Sequence, residues 1–477
     1  MRRLLVPVAI SALLAACSSS TDSSTPAVPD RTTYAYSLVA PAGASPSGLV
    51  ARAVLPGGST CPKLDVTGAQ AVVMQQRQLP ATADGAFKDV LVCSAPIPSG
   101  ATAASVDGLS IPAAMPAQVQ TIAAIADTGC MIFKTVVQDC NSAKDWPFAA
   151  LAGQVAAAKP DLIIHDGDYF YRETACPASD GAKCGNSPAP LSGVPFLDSG
   201  AGWLVDFFEP AKAMLATAPL VAVRGNHEIC KIAGNGFFLF MDPRPDTAET
   251  CAPRDAGGKA KAPTVLTKPW KVDVRGSYGD TLRLAIVDSS HGWGYGQSPW
   301  WPRLRPGYER ANAWAKDKTV RTFLVTHQPS LGITTTDYRP RNFPDWVPWV
   351  GGDQYAASHD LLRNYAAIFS GHLHLSEVVK IPGLPPQFIV GGGGTRLDRP
   401  TGYTTPKYGP LANSKGKPVL PGVKPYPPAD YRWTEVQHAF GLVSPSPADG
   451  SWNVRYIKPD NSVLADCQVG SNGDPSC

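Results

Sequence analysis

The sequence predicts an α/β fold with an additional β-rich region on its N-terminal side. From residue 120 onward, short apolar runs of strand length alternate with segments of helical spacing, the pattern of a sheet covered by helices. Between about residues 33 and 118 there are only short alternating runs rich in Val, Ala, Gly and Pro, such as 48–54 and 89–93, which read as a small β-rich unit. The chain has 477 residues, 44% of them hydrophobic, enough for one large core and a small one.

Taken in order, residues 1–16 read as a targeting segment: Met1-Arg2-Arg3 is a basic start, and residues 4–16 are apolar but too short to span a bilayer. Leu14-Ala15-Ala16-Cys17 looks like a bacterial lipobox, in which Cys17 is lipidated, and 17–32 is a Ser/Thr/Pro-rich tether. This predicts an exported envelope lipoprotein held to a membrane, the outer one by the sorting signal of Ser18. Residues 33–118 form the accessory domain, which packs on the rest of the chain or binds a partner, and 119–477 the catalytic one. Strands are expected at 121–126, 161–165, 220–223, 282–287, 322–325, 367–369 and 387–390, and helices at 146–158, 203–215, 308–317 and 359–365. Three long loops, 241–267, 292–307 and 391–428, are placed to rim a site. The run Gly391-Gly392-Gly393-Gly394 lacks the Lys-Ser/Thr of a phosphate-cradling loop and reads as a tight backbone turn near the site.

Charged residues make up 17% of the chain and there are 47 prolines, a balance suited to a loop-rich exported protein. A net charge of +3 with no Lys/Arg cluster gives no case for a nucleic-acid-binding surface. Setting Cys17 aside leaves ten cysteines, an even number that favours disulfides. Proximity along the chain suggests Cys61–Cys93, Cys130–Cys140, Cys176–Cys184, Cys230–Cys251 and Cys467–Cys477, although spacing alone does not settle connectivity. No CxxC is present to suggest a cysteine metal site.

Five segments end apolar runs with residues able to bind metal: Asp127-Thr128-Gly129, Gly167-Asp168-Tyr169-Phe170-Tyr171, Gly225-Asn226-His227-Glu228, Val325-Thr326-His327 and Gly371-His372-Leu373-His374. Each falls at the carboxyl end of an expected strand, where open α/β sheets place their sites. At these segments the chain resembles the calcineurin-like metallophosphoesterases, the purple acid phosphatases most closely. That family's pattern is D-x-G, GD-x-x-Y, GNH-D/E, x-x-x-H and GH-x-H. The resemblance runs from about residue 122 to 456, and 138–141, 146–148 and 168–173 look like a microbial exported branch. It implies a four-layer α/β/β/α sandwich with two mixed sheets.

It also implies two metal ions bridged by Asp168, with Asp127, Tyr171 and His374 completing metal 1, and Asn226, His327 and His372 completing metal 2. A phenol with an ordinary pKa near 10 needs a strongly Lewis-acidic metal to become a ligand, so Tyr171 points to Fe(III) at metal 1. The neutral set of Asn226 and two imidazoles suits Zn(II), Fe(II) or Mn(II) at metal 2. Gly129, where many members of the wider superfamily carry a His ligand, fits the phenolate-bearing subgroup. The rival role for Tyr171 is to orient His227.

By resemblance, His227 acts on the leaving-group oxygen, Glu228 fixes its loop, and Arg172 reaches a substrate phosphate. His291 is a candidate pocket residue, whereas His165, His359 and His438 read as core or surface residues. The function expected is hydrolysis of phosphate monoesters of small molecules by a metal-bound hydroxide, of the acid phosphatase type. The alternatives are a phosphodiesterase acting on nucleotides or lipid head groups, and a non-catalytic binding lipoprotein.

Overall fold

The computed structural model describes residues 34–79, 85–189, 198–245, 250–252, 265–276, 280–292, 300–334, 347–350, 354, 357–380, 383–398, 430–445 and 451–477. The expected targeting segment, Cys17 and the tether lie outside these residues, as do parts of the three long loops.

Two mixed sheets dominate the fold. The first has at its centre the parallel strands Ile122–Ile125, Leu162–His165, Leu220–Ala222 and Tyr34–Val39, with antiparallel strands on both flanks. The second runs Trp270–Arg275, Thr281–Val287, Val320–Thr326, Ala367–Ser370, Gln387–Val390, Ser376–Lys380, Asp430–Glu435, with four parallel strands inside antiparallel edges.

Side-chain alternation along the strands sorts residues into layers. Ala124, Leu162, Ile164 and Val221 of the first sheet share a core with Leu284, Ile286, Phe323, Val325 and Phe369 of the second. Their sequence neighbours Ala123, Ile125, Ile163 and Ala222 face the other way, onto Leu151 and Val155 of helix Phe148–Ala158 and Phe207, Ala211 and Met214 of the following helical segment. Ala285, Leu324 and Ile368 pack outward on Leu304, Tyr308 and Ala311 of helix Trp301–Ala315. These are the four expected layers: helices, sheet, sheet, helices.

The N-terminal β-rich region is part of this body. Tyr34–Val39, Leu49–Pro56, Val90–Pro96 and Gln75–Gln76 extend the first sheet, and a separate four-stranded sheet lies beside them. The expected boundary at residue 118 falls inside one compact unit, Thr33–Cys477. Tyr34–Val39 is buried almost throughout and pairs in parallel with Leu220–Ala222, which suits a central strand. Arg52 and Arg77, both buried, donate to carbonyls of Phe238, Leu239, Phe240 and Asp242, so this region braces the chain that follows the Asn226 loop.

Three helix expectations change. The helix expected at 308–317 runs Trp301–Ala315, taking in part of the loop expected at 292–307. Pro302 sits in the first turn, where the N–H it lacks would be unpaired in any case, whereas Pro306 lies inside the helix. The expected helix 359–365 is reduced to a 3₁₀ turn at Leu362–Asn364. The segment 200–215 is α-helical at both ends with a π turn, Leu204–Phe208, between them. All five suggested disulfides are present. Among the described residues no helix is long and apolar enough to cross a membrane.

Candidate metal centre

Both sheets end their parallel strands at the same site. Asp127, Asp168 and Asn226 follow Ile122–Ile125, Leu162–His165 and Leu220–Ala222, whereas His327 and His372 follow Val320–Thr326 and Ala367–Ser370. Asp127, Asp168 and His372 stand at φ of 57°, 56° and 71°, a left-handed region that residues other than glycine seldom occupy. Such strain, about 1–3 kcal/mol each, persists where the surroundings over-determine it. Here it accompanies side chains that meet at one point.

The structure brings together all seven candidate ligands around Asp168 Oδ2. On one side, Tyr171 Oη lies 2.9 Å from Asp168 Oδ2, from Asp127 Oδ1 and from His374 Nε2. On the other, His327 Nε2 is 3.2 Å from Asp168 Oδ2 and 2.9 Å from Asn226 Oδ1, and His372 Nδ1 is 2.6 Å from the same Asn226 oxygen. The cluster is therefore two groups of donors that share Asp168.

The proton inventory of these groups fits cations. His327 Nδ1 lies 2.7 Å from Asp166 O and His374 Nδ1 2.8 Å from Arg396 O, so each ring turns its Nε2 inward. His327 Nε2, Asn226 Oδ1 and Asp168 Oδ2 face one another. In the other group the phenol oxygen lies within hydrogen-bond distance of both carboxylates and of His374 Nε2. Converging lone pairs of this kind, with two buried carboxylates among them, suit metal ions.

Electrostatics agree. Burial and the charge of Asp168 push the Asp127 carboxyl well above its usual range. Burial would also raise Asp168, but His327 and His227 outweigh it and hold Asp168 low. Burial lowers His372 and His374, keeping both imidazoles neutral and able to coordinate. Burial and the two carboxylates push the Tyr171 phenol well above 10. Only a strongly Lewis-acidic cation would displace its proton.

Backbone contacts hold the loops in place. The Glu228 carboxylate accepts from the N–H groups of Asp168, Tyr169, Phe170 and Gly225, fixing the loop as expected. His227 N–H donates to Asp168 Oδ1 at 2.8 Å, and His372 N–H to Asp127 Oδ2 at 2.8 Å. Gly225 is required because a Cβ there would stand 2.1 Å from Asp168 Oδ1. The glycine run lies against the site, with Gly393 N–H on Ala126 O and Thr395 N–H on Asp127 O.

His227 sits beside the cluster with its ring over Tyr171, centroids 4.0 Å apart, and its Nε2 is 3.7 Å from Asp168 Oδ2. Its Nδ1 contacts the buried Glu173 carboxylate. Burial works against a charged ring, but Asp168 and Glu173 raise its pKa to about 10, so it carries a proton. Glu173 was missed by the sequence reading, although it lies only two residues past Tyr171. Asp206 was missed too. It sits in the π turn and accepts from the N–H groups of Cys130 and Tyr171, and a lone carboxylate among Trp203, Phe207 and Phe208 was the available signal.

Two expectations need correction. Arg172 does not reach toward substrate: its side chain is 1% exposed and donates to Asp206 Oδ1 at 2.9 Å, Cys184 O at 2.6 Å and Ser187 Oγ. We expect Arg172→Ala to lower stability by about 3–5 kcal/mol through the unpaired Asp206, with kcat/KM of the folded fraction nearly unchanged. Denaturant melts with kinetics on the same samples check this; normal stability with a large rise in KM would restore a substrate role. The second concerns Gly129. A Cβ there would meet Asp206 Oδ2 and backbone of residues 169 and 171 at 2.7–2.8 Å, so no side chain fits, and the glycine serves loop packing, not vacated coordination space.

Of the remaining histidines, His165 is a core residue stacked on Tyr169, and His291 is buried against Trp300. Arg396 and Asp398, which bond to His374 through their backbones, also line a cavity of about 800 Å³ with Lys144, Asp145, Lys183 and His438.

The model of the calcineurin-like phosphoesterase family matches residues 120–376, more than half of the chain. Among solved structures, PhoD superimposes with a TM-score of 0.50 at 11% identity, covering 92% of this chain and 90% of that one. A purple acid phosphatase from yellow lupin (Lupinus luteus) seeds has a TM-score of 0.49 at 11% identity, covering 91% and 74%. A dimetal phosphatase from Danio rerio has a TM-score of 0.36 at 10% identity, covering 74% and 99%. No curated protein matches the chain. The PhoD likeness concerns the fold.

Proposed function

We propose, starting from the fact that this chain belongs to the calcineurin-like phosphoesterase family, that it is an exported two-metal hydrolase of phosphate monoesters. The observation that carries this reading is the convergence of two donor groups on Asp168 Oδ2, with a protonated His227 beside them. Asp127, Tyr171, His374 and Asp168 would hold one ion, and Asn226, His327, His372 and Asp168 the other. Two such ions supply an activated water at neutral or acid pH and offset the charge of the phosphoryl group.

The chain's own residues supply the rest. His227 donates its Nε2 proton to the departing alkoxide oxygen while Glu173 fixes the ring through Nδ1. Glu228 keeps the Asp168 and Asn226 loops in register. The cavity beside His374 presents Lys144, Lys183 and Arg396 together with Asp145 and Asp398, a lining of both signs that suits a small polar alcohol as leaving group. Metal content and a panel of mono- and diesters on the purified full-length protein test the reading. Two metals per chain with monoesters turned over fastest is expected; faster diesters, or no turnover at full metal occupancy, would overturn it.

We assign Fe(III) to the Tyr171 side and Zn(II), Fe(II) or Mn(II) to the Asn226 side. The aerobically purified protein should then be coloured, with a tyrosinate-to-iron band in visible absorption that Tyr171→Phe removes. An active, fully loaded, colourless protein would sink the iron assignment and leave Tyr171 as a partner of His227, whose ring it already touches.

Five disulfides suggest an exported or otherwise oxidising environment. The residues Leu14-Ala15-Ala16-Cys17 support lipid anchoring in a bacterial envelope, with the outer membrane as destination. Mass spectrometry of the mature N-terminus should find an acylated Cys17, and a free terminus beyond Cys17 would exclude the anchor.

A further inference from the structure

At the end of the sandwich opposite the metal centre, the entry turns of Val320–Thr326, Ala367–Ser370 and Gln387–Val390 surround a cavity of about 490 Å³. Arg321 lines it from near the start of a strand whose far end leads to His327, six residues and about 20 Å away. The lining has three cationic side chains, Arg321, Arg363 and Lys380, from three separate elements, and no carboxylate among the described residues.

These cations are only partly satisfied. Asp280 stands 3.8 Å from Arg321 Nε, and nearby Asp474 pairs with Arg432 at 3.2 Å. Arg363 has no ion pair among the described residues. Lys380 Nζ donates to Leu384 O and Gly473 O, both at 2.9 Å, which fixes the ammonium and leaves one of its three protons. Trp452 and Pro386 supply an apolar wall.

We propose that this pocket is a second anion site, separate from the metal centre, which takes the phosphate group of a ligand. Two guanidinium groups and an ammonium match a tetrahedral oxyanion with several acceptor oxygens. The source is either free phosphate or a phospholipid headgroup.

The test uses the full-length, metal-loaded protein and titration calorimetry with inorganic phosphate. Wild type should show two binding steps. Arg363→Glu should keep one and weaken the other about tenfold or more. Because Arg363 is exposed, the melting temperature of its variant should match wild type, which excludes misfolding. If the metal-centre reading fails, wild type shows one step, and Arg363→Glu still removes it. Sedimentation with phosphatidylglycerol vesicles separates the sources: Arg363-dependent binding to vesicles without an Arg363-dependent phosphate step identifies the headgroup. Isotherms and sedimentation that coincide for wild type and Arg363→Glu overturn the proposal.

Discussion

Asn226→Ala and His372→Ala are each expected to abolish phosphate-ester hydrolysis and leave the protein about one metal ion short per chain. Both residues belong to the donor group on the far side of Asp168 from Tyr171, and their donor atoms lie 2.6 Å apart. Removing Asn226 deletes the one oxygen that His327 and His372 share. The two imidazoles and the shared carboxylate then hold the second cation poorly, and half of the two-ion clamp is lost. The Asp127, Tyr171 and His374 group keeps its ion. Elemental analysis beside turnover reads both effects, with circular dichroism as the folding control. Two full equivalents of metal in an inactive Asn226→Ala protein would show that Asn226 acts on substrate instead.

His227→Ala should behave differently: metal content stays at the wild-type level while turnover falls by about 10²–10⁴-fold. Its ring contacts Asp168 and Glu173 but belongs to neither donor group, so it is placed to move a proton and not to hold an ion. Glu173→Gln should lose about 10–100-fold, in kcat more than in KM, because the ring keeps its place less well and is less readily protonated. Combining the two substitutions should cost no more than His227→Ala alone, since Glu173 acts only through the histidine. Additive losses would detach Glu173 from that role. Loss of half the metal from His227→Ala, with activity restored by excess metal, would turn His227 into a ligand.

The strands and the five motifs were legible because both rest on short-range patterns, and the four layers and the seven-residue ligand set were what the family resemblance implied. Each of these strands reads as a short apolar run, and each motif sits directly after its strand. What escaped depends on contacts across long sequence separations. Arg172 follows Tyr171 and was expected to point the same way, yet its acceptors, Asp206, Cys184 O and Ser187, lie 34, 12 and 15 residues on. Asp206 is aimed by a π turn that no periodicity announces. The N-terminal strands carry no chemistry, so nothing in them reveals that Tyr34–Val39 lies beside Leu220–Ala222 in the central sheet. The left-handed backbone at Asp127, Asp168 and His372 is likewise set by packing, and no residue preference forecasts it.

The disulfides carry a consequence for how the chain matures. From Cys61 to Cys477 every cysteine is joined to the next cysteine along the chain, so the five rings are consecutive, with none nested in another and none overlapping. A chain threaded N-terminus first into an oxidising compartment presents its thiols in that same order. With Cys17 capped by the proposed lipid, each newly arrived thiol meets its proper partner before any competitor has emerged, and simple oxidation in order of appearance yields the native set. Such a connectivity makes no demand on an isomerase to reshuffle wrong pairs. The covalent framework can be complete up to Cys251 while the second sheet is still being delivered.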